Sequence, residues 1–140
     1  MSRAAFFDLL TSNPELNALN INEDTVFPNY ANEERPSDST PFIILRWGET
    51  GRPNWGSAKS PEPVTIWVHW PAELTNDYTK LITILDKIDD VVRGARDVVG
   101  QDDYTLSFVE VLGRSADFLD QGFNTIAKNG TYQVFSRRSE

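Results

Sequence analysis

The stretch TNDYTKLITILDKIDDVVRGARDVV, residues 75–99, decides the fold. Its apolar residues recur at intervals of three and four, which places their side chains on one face of an α-helix. That face carries Tyr78, Leu81, Leu85, Ile88, Val92, Ala95 and Val99, and the polar arc opposite carries Lys80, Thr83, Asp86, Lys87, Asp90, Arg93 and Asp97. Gly100 directly follows the last residue of this pattern, and glycine is common just after the end of a helix. The pattern predicts one long amphipathic helix over 75–99, packed on a sheet.

Four other stretches predict the strands of that sheet. Residues 42–47, FIILRW, form a nearly continuous apolar run, which is typical of a strand buried on both faces. Residues 64–70, VTIWVHW, alternate between a more apolar and a more polar face. Residues 104–112 and 131–137 follow the long helix and also alternate, so they predict two further strands.

Two short helices are predicted at the start of the chain. Ser2 is placed to cap a first helix with Phe6, Leu9 and Leu10 on one face, and Asn13-Pro14-Glu15 begins a second. The element order is then two helices, two strands, the long helix and two strands. We therefore expect an α+β fold, with an antiparallel or mixed sheet of about four or five strands flanked by helices.

The 140 residues predict a single domain, 1–140, with two protruding loops. The loops span about 28–41, which is rich in Pro, Asn, Ser and charged residues, and 49–62, which is polar and contains Gly and Pro. Residues 113–122 are expected to form a loop or a single helical turn. Asn129-Gly130 is expected to form a tight turn.

The charge balance excludes one broad class of function. The chain has 21 acidic and 13 basic residues, a formal net charge of −8. Free-standing nucleic-acid binders usually carry the opposite sign, because cationic side chains neutralise phosphates. The chain also has no cysteine, which excludes disulfides and thiolate chemistry. We expect a protein made in a cytoplasm, with no membrane segment.

Candidate reactive groups are few. The single histidine, His69, lies within a predicted strand, where we expect a structural or surface role because no motif supplies catalytic partners. Asp86, Asp89 and Asp90 lie within one helical turn and could hold Mg²⁺ in an enzyme. The alternative is a solvated helix face on which Asp89 pairs with Arg93. We expect no enzyme, no metal site and no cofactor.

The 49–62 loop contains the strongest candidate contact residues. Arg52, Trp55 and Lys59 lie in an otherwise polar segment, and Trp and Arg are enriched among interface hot spots. Trp55 therefore predicts an anchor for a partner surface. The alternative is that the loop folds back and Trp55 fills its own domain. For the function of the whole chain, a further alternative is an acidic binding module that sequesters a basic partner.

The chain resembles the tail terminator proteins of long-tailed (siphovirus-type) bacteriophages, particularly those of actinobacteria. The resemblance rests on segments in a fixed order that cover nearly the whole chain. They are SRAAFFDLLTSNPELNAL, VFPNYANEERPSDSTPFIILRWGE, TIWVHWP followed by LITILDKIDDVV, and FVEVLGRSADFLDQGFNTIAKNGTYQVF. The alternative within the same class is a head–tail connector or head-completion protein of the neck.

The resemblance implies a structural virion protein that forms a six-membered ring. Such a ring caps the tail tube, ends tube polymerisation and joins the tail to the head-side connector. Its partners would be other copies of itself, the tail tube protein and the connector, while DNA passes through the lumen without specific binding. It would be found in the neck region of the virion, and in the host cytoplasm during assembly.

The resemblance also indicates which residues serve these contacts. The interface residues would be Arg52, Trp55 and Lys59 in the hairpin loop, with Tyr30 and Arg35 in the arm. An acidic lumen that repels phosphate would be lined by Asp86, Asp90, Asp97, Asp102 and Asp103.

Overall fold

A computed structural model describes residues 3–28, 35–48 and 61–138. In chain order its elements are α1 (Arg3–Thr11), α2 (Pro14–Asn17), β1 (Val26–Phe27), β2 (Phe42–Trp47), β3 (Pro61–Pro71), α3 (Thr79–Arg93), β4 (Val98–Val99), β5 (Tyr104–Arg114), β6 (Phe118–Asp120) and β7 (Thr125–Arg138). The strands form one sheet in the order β1-β2-β3-β7-β5-β4, and β6 also pairs with β7. The predicted α+β class is confirmed.

The sheet is larger than the four or five strands predicted. Among the residues described it has seven, of which β1 pairs in parallel with β2 while the other pairs are antiparallel. The three additional strands, β1, β4 and β6, are only two or three residues long. Segments of two or three residues are too short to show alternating apolar and polar side chains. Their pairing depends on the neighbouring strand instead of on their own sequence.

The helices pack on one face of the sheet, which we call the inner face. Cross-strand partners such as Ile43 and Val68, or Leu45 and Ile66, lie side by side on it. These side chains are buried, as are Leu81, Leu85 and four further residues of α3. The alternation predicted for residues 64–70 is therefore confirmed, and it directs one set of side chains into the core.

The long helix is shorter at both ends than predicted. It begins at Thr79, whose N–H donates to the Asp77 carboxylate at 3.0 Å, and it ends at Arg93. Gly94 caps it, and Asp97 then adopts a positive φ of 52°. Val99, predicted on the apolar helical face, instead lies in β4 and is 71% exposed. Pairing of β4 with β5 thus replaces the last turns of the predicted helix.

The segment 113–122 was predicted as a loop, and this prediction was wrong. β5 continues to Arg114, Ser115 N–H donates to the Asn129 carbonyl, and β6 then pairs with the start of β7. Together β5, β6 and β7 make a long bulged hairpin. Its turn lies at 121–124, where Asn124 has a φ of 54°.

Asn129-Gly130 was also predicted wrongly, as a tight turn. Both residues lie inside β7, paired with Trp67 and Ile66 of β3. Gly130 is required there because the Tyr132 ring lies against it: a Cβ at this position would stand 2.6 Å from the Tyr132 hydroxyl oxygen. The glycine thus serves side-chain packing instead of a turn.

A Gly130→Ala substitution tests this packing. The added methyl must displace the buried Tyr132 ring, so we expect a loss of about 1–3 kcal/mol in the free energy of unfolding. Urea denaturation measures it. Gly113→Ala is the matched control, since a Cβ there meets nothing within 4 Å among the atoms of the structure. Equal losses in the two variants would contradict the account.

Candidate assembly surfaces

Most of the predicted interface residues lie outside the described part of the chain. These are Tyr30 in the arm and Arg52, Trp55 and Lys59 in the hairpin loop. Of the predicted 49–62 loop, only residues 61 and 62 are described, and they belong to β3. The roles of these four side chains stay predictions.

Arg35 is described, and it is engaged within its own chain. Its guanidinium donates to Asp38 at 2.6 and 2.9 Å and to Glu73 Oε2 at 2.9 Å. It also donates to the backbone carbonyls of Phe123 and Asn124, at 3.4 and 3.3 Å. Arg35 therefore ties the end of the arm to the β3–α3 connection and to the turn of the long hairpin.

Charge pairing strengthens this contact. The hydrogen bond to Glu73, followed by that to Asp38, raises the pKa of Arg35, and the same guanidinium lowers the pKa of Glu73. The Arg35 side chain is 18% exposed, while the side chains of Asp38 and Glu73 are 84% and 45% exposed. The predicted interface role of Arg35 stays a prediction, and its contacts fix the described end of the arm at residues 35–38.

The five predicted lumen carboxylates fall into two groups. Asp86 and Asp90 are exposed on the side of α3 that faces solvent. The other three, Asp97, Asp102 and Asp103, lie in the connections on either side of β4. Asp86 forms an ion pair with Arg114, and Asp97 forms one with Arg137, each at 2.7 Å. Two of the five charges are therefore partly neutralised within the subunit.

A network that the sequence analysis missed joins α3 to the sheet. The hydroxyl of buried Tyr132 donates to Asp89 Oδ1 at 2.5 Å, and Arg114 donates to Asp89 Oδ2 at 2.7 Å. Burial, together with the hydrogen bond to Asp89, raises the pKa of Tyr132. Asp89 is 7% exposed, so it faces the sheet instead of forming the predicted surface pair with Arg93.

The network also bears on the magnesium alternative. Asp86 and Asp89 both accept from the same Arg114 nitrogen, each at 2.7 Å, so a guanidinium already stands between these two carboxylates. Within residues 3–28, 35–48 and 61–138, no group of three or more His, Asp or Glu side chains is arranged to hold a metal ion.

The sheet face opposite the helices, which we call the outer face, carries an aromatic cluster. His69 stacks on Phe42, with ring centroids 5.0 Å apart, and Trp67 meets Phe118 edge to face at 5.1 Å. Beside them is a cavity of about 190 Å³, lined by Ile44, Arg46, Trp67, His69, Phe118, Asp120 and Phe123. The lining is mostly aromatic, and it includes one positive side chain, Arg46, and one negative side chain, Asp120.

His69 is a structural member of this cluster. It is 3% exposed, and its Nδ1 lies 2.8 Å from Thr125 Oγ1, which is itself buried. Burial lowers the pKa of His69 to about 4, against a partial opposing effect of the Asp120 charge. The imidazole is therefore neutral at physiological pH and holds β3 to β7.

Comparison with known proteins shows the fold. No family model matches the chain, and neither does any curated protein. Among solved structures, it is similar to a chain of a structure described as "Virion of native gene transfer agent (GTA) particle", at 14% identity and a TM-score of 0.69. The match covers 96% of this chain and 92% of that one. The two chains share a fold over nearly their whole length.

The helices in the described part of the chain include none long and apolar enough to cross a bilayer.

Because His69 is neutral in the folded chain, we expect the folded state to lose stability at acidic pH. Between pH 6.5 and about 4 the unfolded chain binds a proton at His69 that the folded chain does not, so stability falls as the pH falls. This amounts to about 2 kcal/mol between pH 7 and pH 5. Chemical denaturation at the two pH values measures it.

His69→Gln is the control for this prediction. Glutamine keeps a hydrogen-bonding group near Thr125 but cannot be protonated, so its stability should change less over the same range. If the wild-type protein and the His69→Gln variant lost the same stability as the pH falls, the assignment of the acid sensitivity to His69 would be contradicted.

Proposed function

We propose that this chain is a structural virion protein that forms a ring on the tail tube of a long-tailed phage or phage-like particle. The ring ends tube polymerisation and joins the tail to the head-side connector. It is built from copies of this chain, six in number if the resemblance to tail terminators holds.

The observation that carries this proposal is the fold shared with a chain of a gene transfer agent virion. That likeness extends over 96% of this chain, with a TM-score of 0.69. It supports a place in a phage-like particle. The order of sequence segments, from the opening helix to the closing strand, favours the tail terminator among the proteins of such a particle.

The surfaces of the subunit are compatible with assembly. The helices of the described residues lie on one face of the sheet, and the outer face carries half-buried aromatic rings, among them Trp67 and Phe118. Leu74, Val99, Leu112 and Leu119 are each about half exposed or more. Large apolar side chains left in solvent are typical of surfaces that other subunits cover.

The charge of the chain fits passage of DNA. A net charge of −8 gives an overall field that repels phosphate, so DNA would move past such a ring without being held. Among the proposed lumen residues, Asp90 and Asp103 are exposed, while Asp86 and Asp97 are paired with arginines. Asp90 and Asp103 are therefore the stronger candidates for a lumen lining.

A second candidate is a head–tail connector or head-completion protein of the neck. The structural likeness is to a virion as a whole, and it favours neither position within the particle. Such a protein would also assemble into a ring through its outer surfaces, but it would act on the head side of the junction.

Tail length separates the two candidates. Deleting the gene from the particle that encodes it should give tubes of abnormal, mostly excessive length, because nothing stops polymerisation. Electron microscopy of lysates measures the length distribution, and supply of the wild-type chain from a plasmid is the control. Tails of normal length that fail to join heads would favour the neck protein instead.

A further inference from the structure

The cavity on the outer face, which we call the outer-face cavity, is formed by neighbouring strands of the sheet. β2 contributes Ile44 and Arg46, and β3 contributes Trp67 and His69. β6 contributes Phe118, and the other two lining residues lie at its end and in the turn that follows it. All seven belong to the described part of the chain, so the site is defined by described side chains alone.

The aromatic walls of the cavity are held in place by contacts with one another. Trp67 meets Phe118 edge to face, with ring centroids 5.1 Å apart. Phe123 meets His69 and Phe42 edge to face, at 5.5 and 5.9 Å. Rings that are already fixed by such contacts lose little freedom when a ligand enters, and binding costs less at a site that is formed in advance.

The volume of the cavity suits one aromatic side chain. It is about 190 Å³, whereas an apolar cavity of roughly 150 Å³ is large enough to bind benzene. Aromatic pairs prefer offset or edge-to-face contacts, which the rings of the lining can offer to an incoming ring. Aromatic residues are also enriched at protein interfaces. Size and lining together therefore indicate an aromatic ligand.

The two charged residues of the lining differ in accessibility. Asp120 is partly buried, and its Oδ1 accepts a hydrogen bond from the Phe123 N–H at 3.0 Å. Arg46 is exposed, so its guanidinium is the accessible charge at the mouth of the cavity. A guanidinium binds a carboxylate through two parallel hydrogen bonds. The accessible charge therefore favours a ligand with an acidic group beside its ring.

We propose that the outer-face cavity is a docking site for a partner protein of the particle, which inserts one aromatic side chain into the cavity and places a neighbouring carboxylate on Arg46. The ligand chemistry stands on the cavity alone, whereas a partner within a virion rests on the proposed function. The burial of the ring supplies affinity, and the charge pair with Arg46 supplies specificity.

Small compounds test the ligand chemistry on the purified chain. The probes are N-acetyltryptophan, which has a ring and a carboxylate, its amide, which has the ring without the charge, and N-acetylglycine, which has the carboxylate without a ring. NMR titration follows the backbone signals of Ile44, Trp67 and Phe118. We expect N-acetyltryptophan to bind with a dissociation constant about two- to fivefold below that of its amide, and N-acetylglycine to leave the signals unchanged. Signals that N-acetyltryptophan does not shift would overturn the proposal.

Two substitutions separate the charge from the cavity. Arg46→Gln should raise the dissociation constant of N-acetyltryptophan to that of its amide, while Arg138→Gln, at the exposed last residue of β7, is the matched control and should keep the difference. Ile44→Phe fills part of the cavity and should abolish binding of both compounds, with the melting temperature as the check of folding. If that variant does not fold, Arg46→Gln decides alone. A preference for the carboxylate that survives Arg46→Gln overturns the role of Arg46.

Photo-crosslinking in particles tests the partner. The crosslinking residue p-benzoylphenylalanine replaces Thr65, the cross-strand neighbour of Arg46, and in a control it replaces Thr83 on the exposed side of α3. We expect position 65 alone to crosslink to another chain, at a peptide with an aromatic residue next to Asp or Glu, identified by mass spectrometry. Crosslinks within the same chain only, or none, overturn the partner. A chain that is absent from particles overturns the proposed function and leaves the probe titration as the test of the cavity.

Discussion

The hydroxyl of Tyr132, bonded to the Asp89 carboxylate beneath α3, fixes the helix layer to the sheet. It is a buried polar contact beside the apolar core cluster, and Arg114 satisfies the second oxygen of the same carboxylate. Removing one partner would leave a desolvated group, which costs more than the bond itself contributes. The contact adds to the apolar packing that holds α3 on the sheet, and the Tyr132 ring that makes it requires glycine at position 130.

Within the described ranges the helices cover the inner face of the sheet, and no helix lies on the outer face. Such one-sided sheets are common, and the uncovered face is usually polar. Here it carries an aromatic cluster around Trp67 and His69 and a small cavity instead. The arm end fixed by Arg35 lies beside the hairpin turn. These are the features expected of a subunit that works through its surfaces.

The main elements of the fold could be predicted from the sequence, but their ends could not. Periodicity identified α3, because its buried stripe extends over four turns. It also extended the helix too far, since Val99 continues the stripe while β5 draws its backbone into the sheet. Asn129-Gly130 has a strong local turn pattern, yet a ring two residues away requires the glycine within a strand. In both cases a contact that the local pattern does not include, a strand pairing for Val99 and a packed ring for Gly130, decides the backbone conformation.

The candidate sites were less predictable. The interface role predicted for Arg35 stays a prediction, and its contact with Glu73 could not be predicted, because the two residues lie 38 positions apart and no local pattern connects them. The Tyr132–Asp89–Arg114 network was missed for the same reason, since each residue alone has the spacing of an ordinary surface or core position. Trp55 and its neighbours lie outside the described residues, so their prediction rests on sequence alone.

The position of the chain in intact particles tests the central claim most directly. A tag at the C-terminus, labelled with gold, can be located in purified particles by electron microscopy. The account predicts label at the junction between head and tail. Label along the tube, label at the distal tip, or its absence from particles would contradict the account.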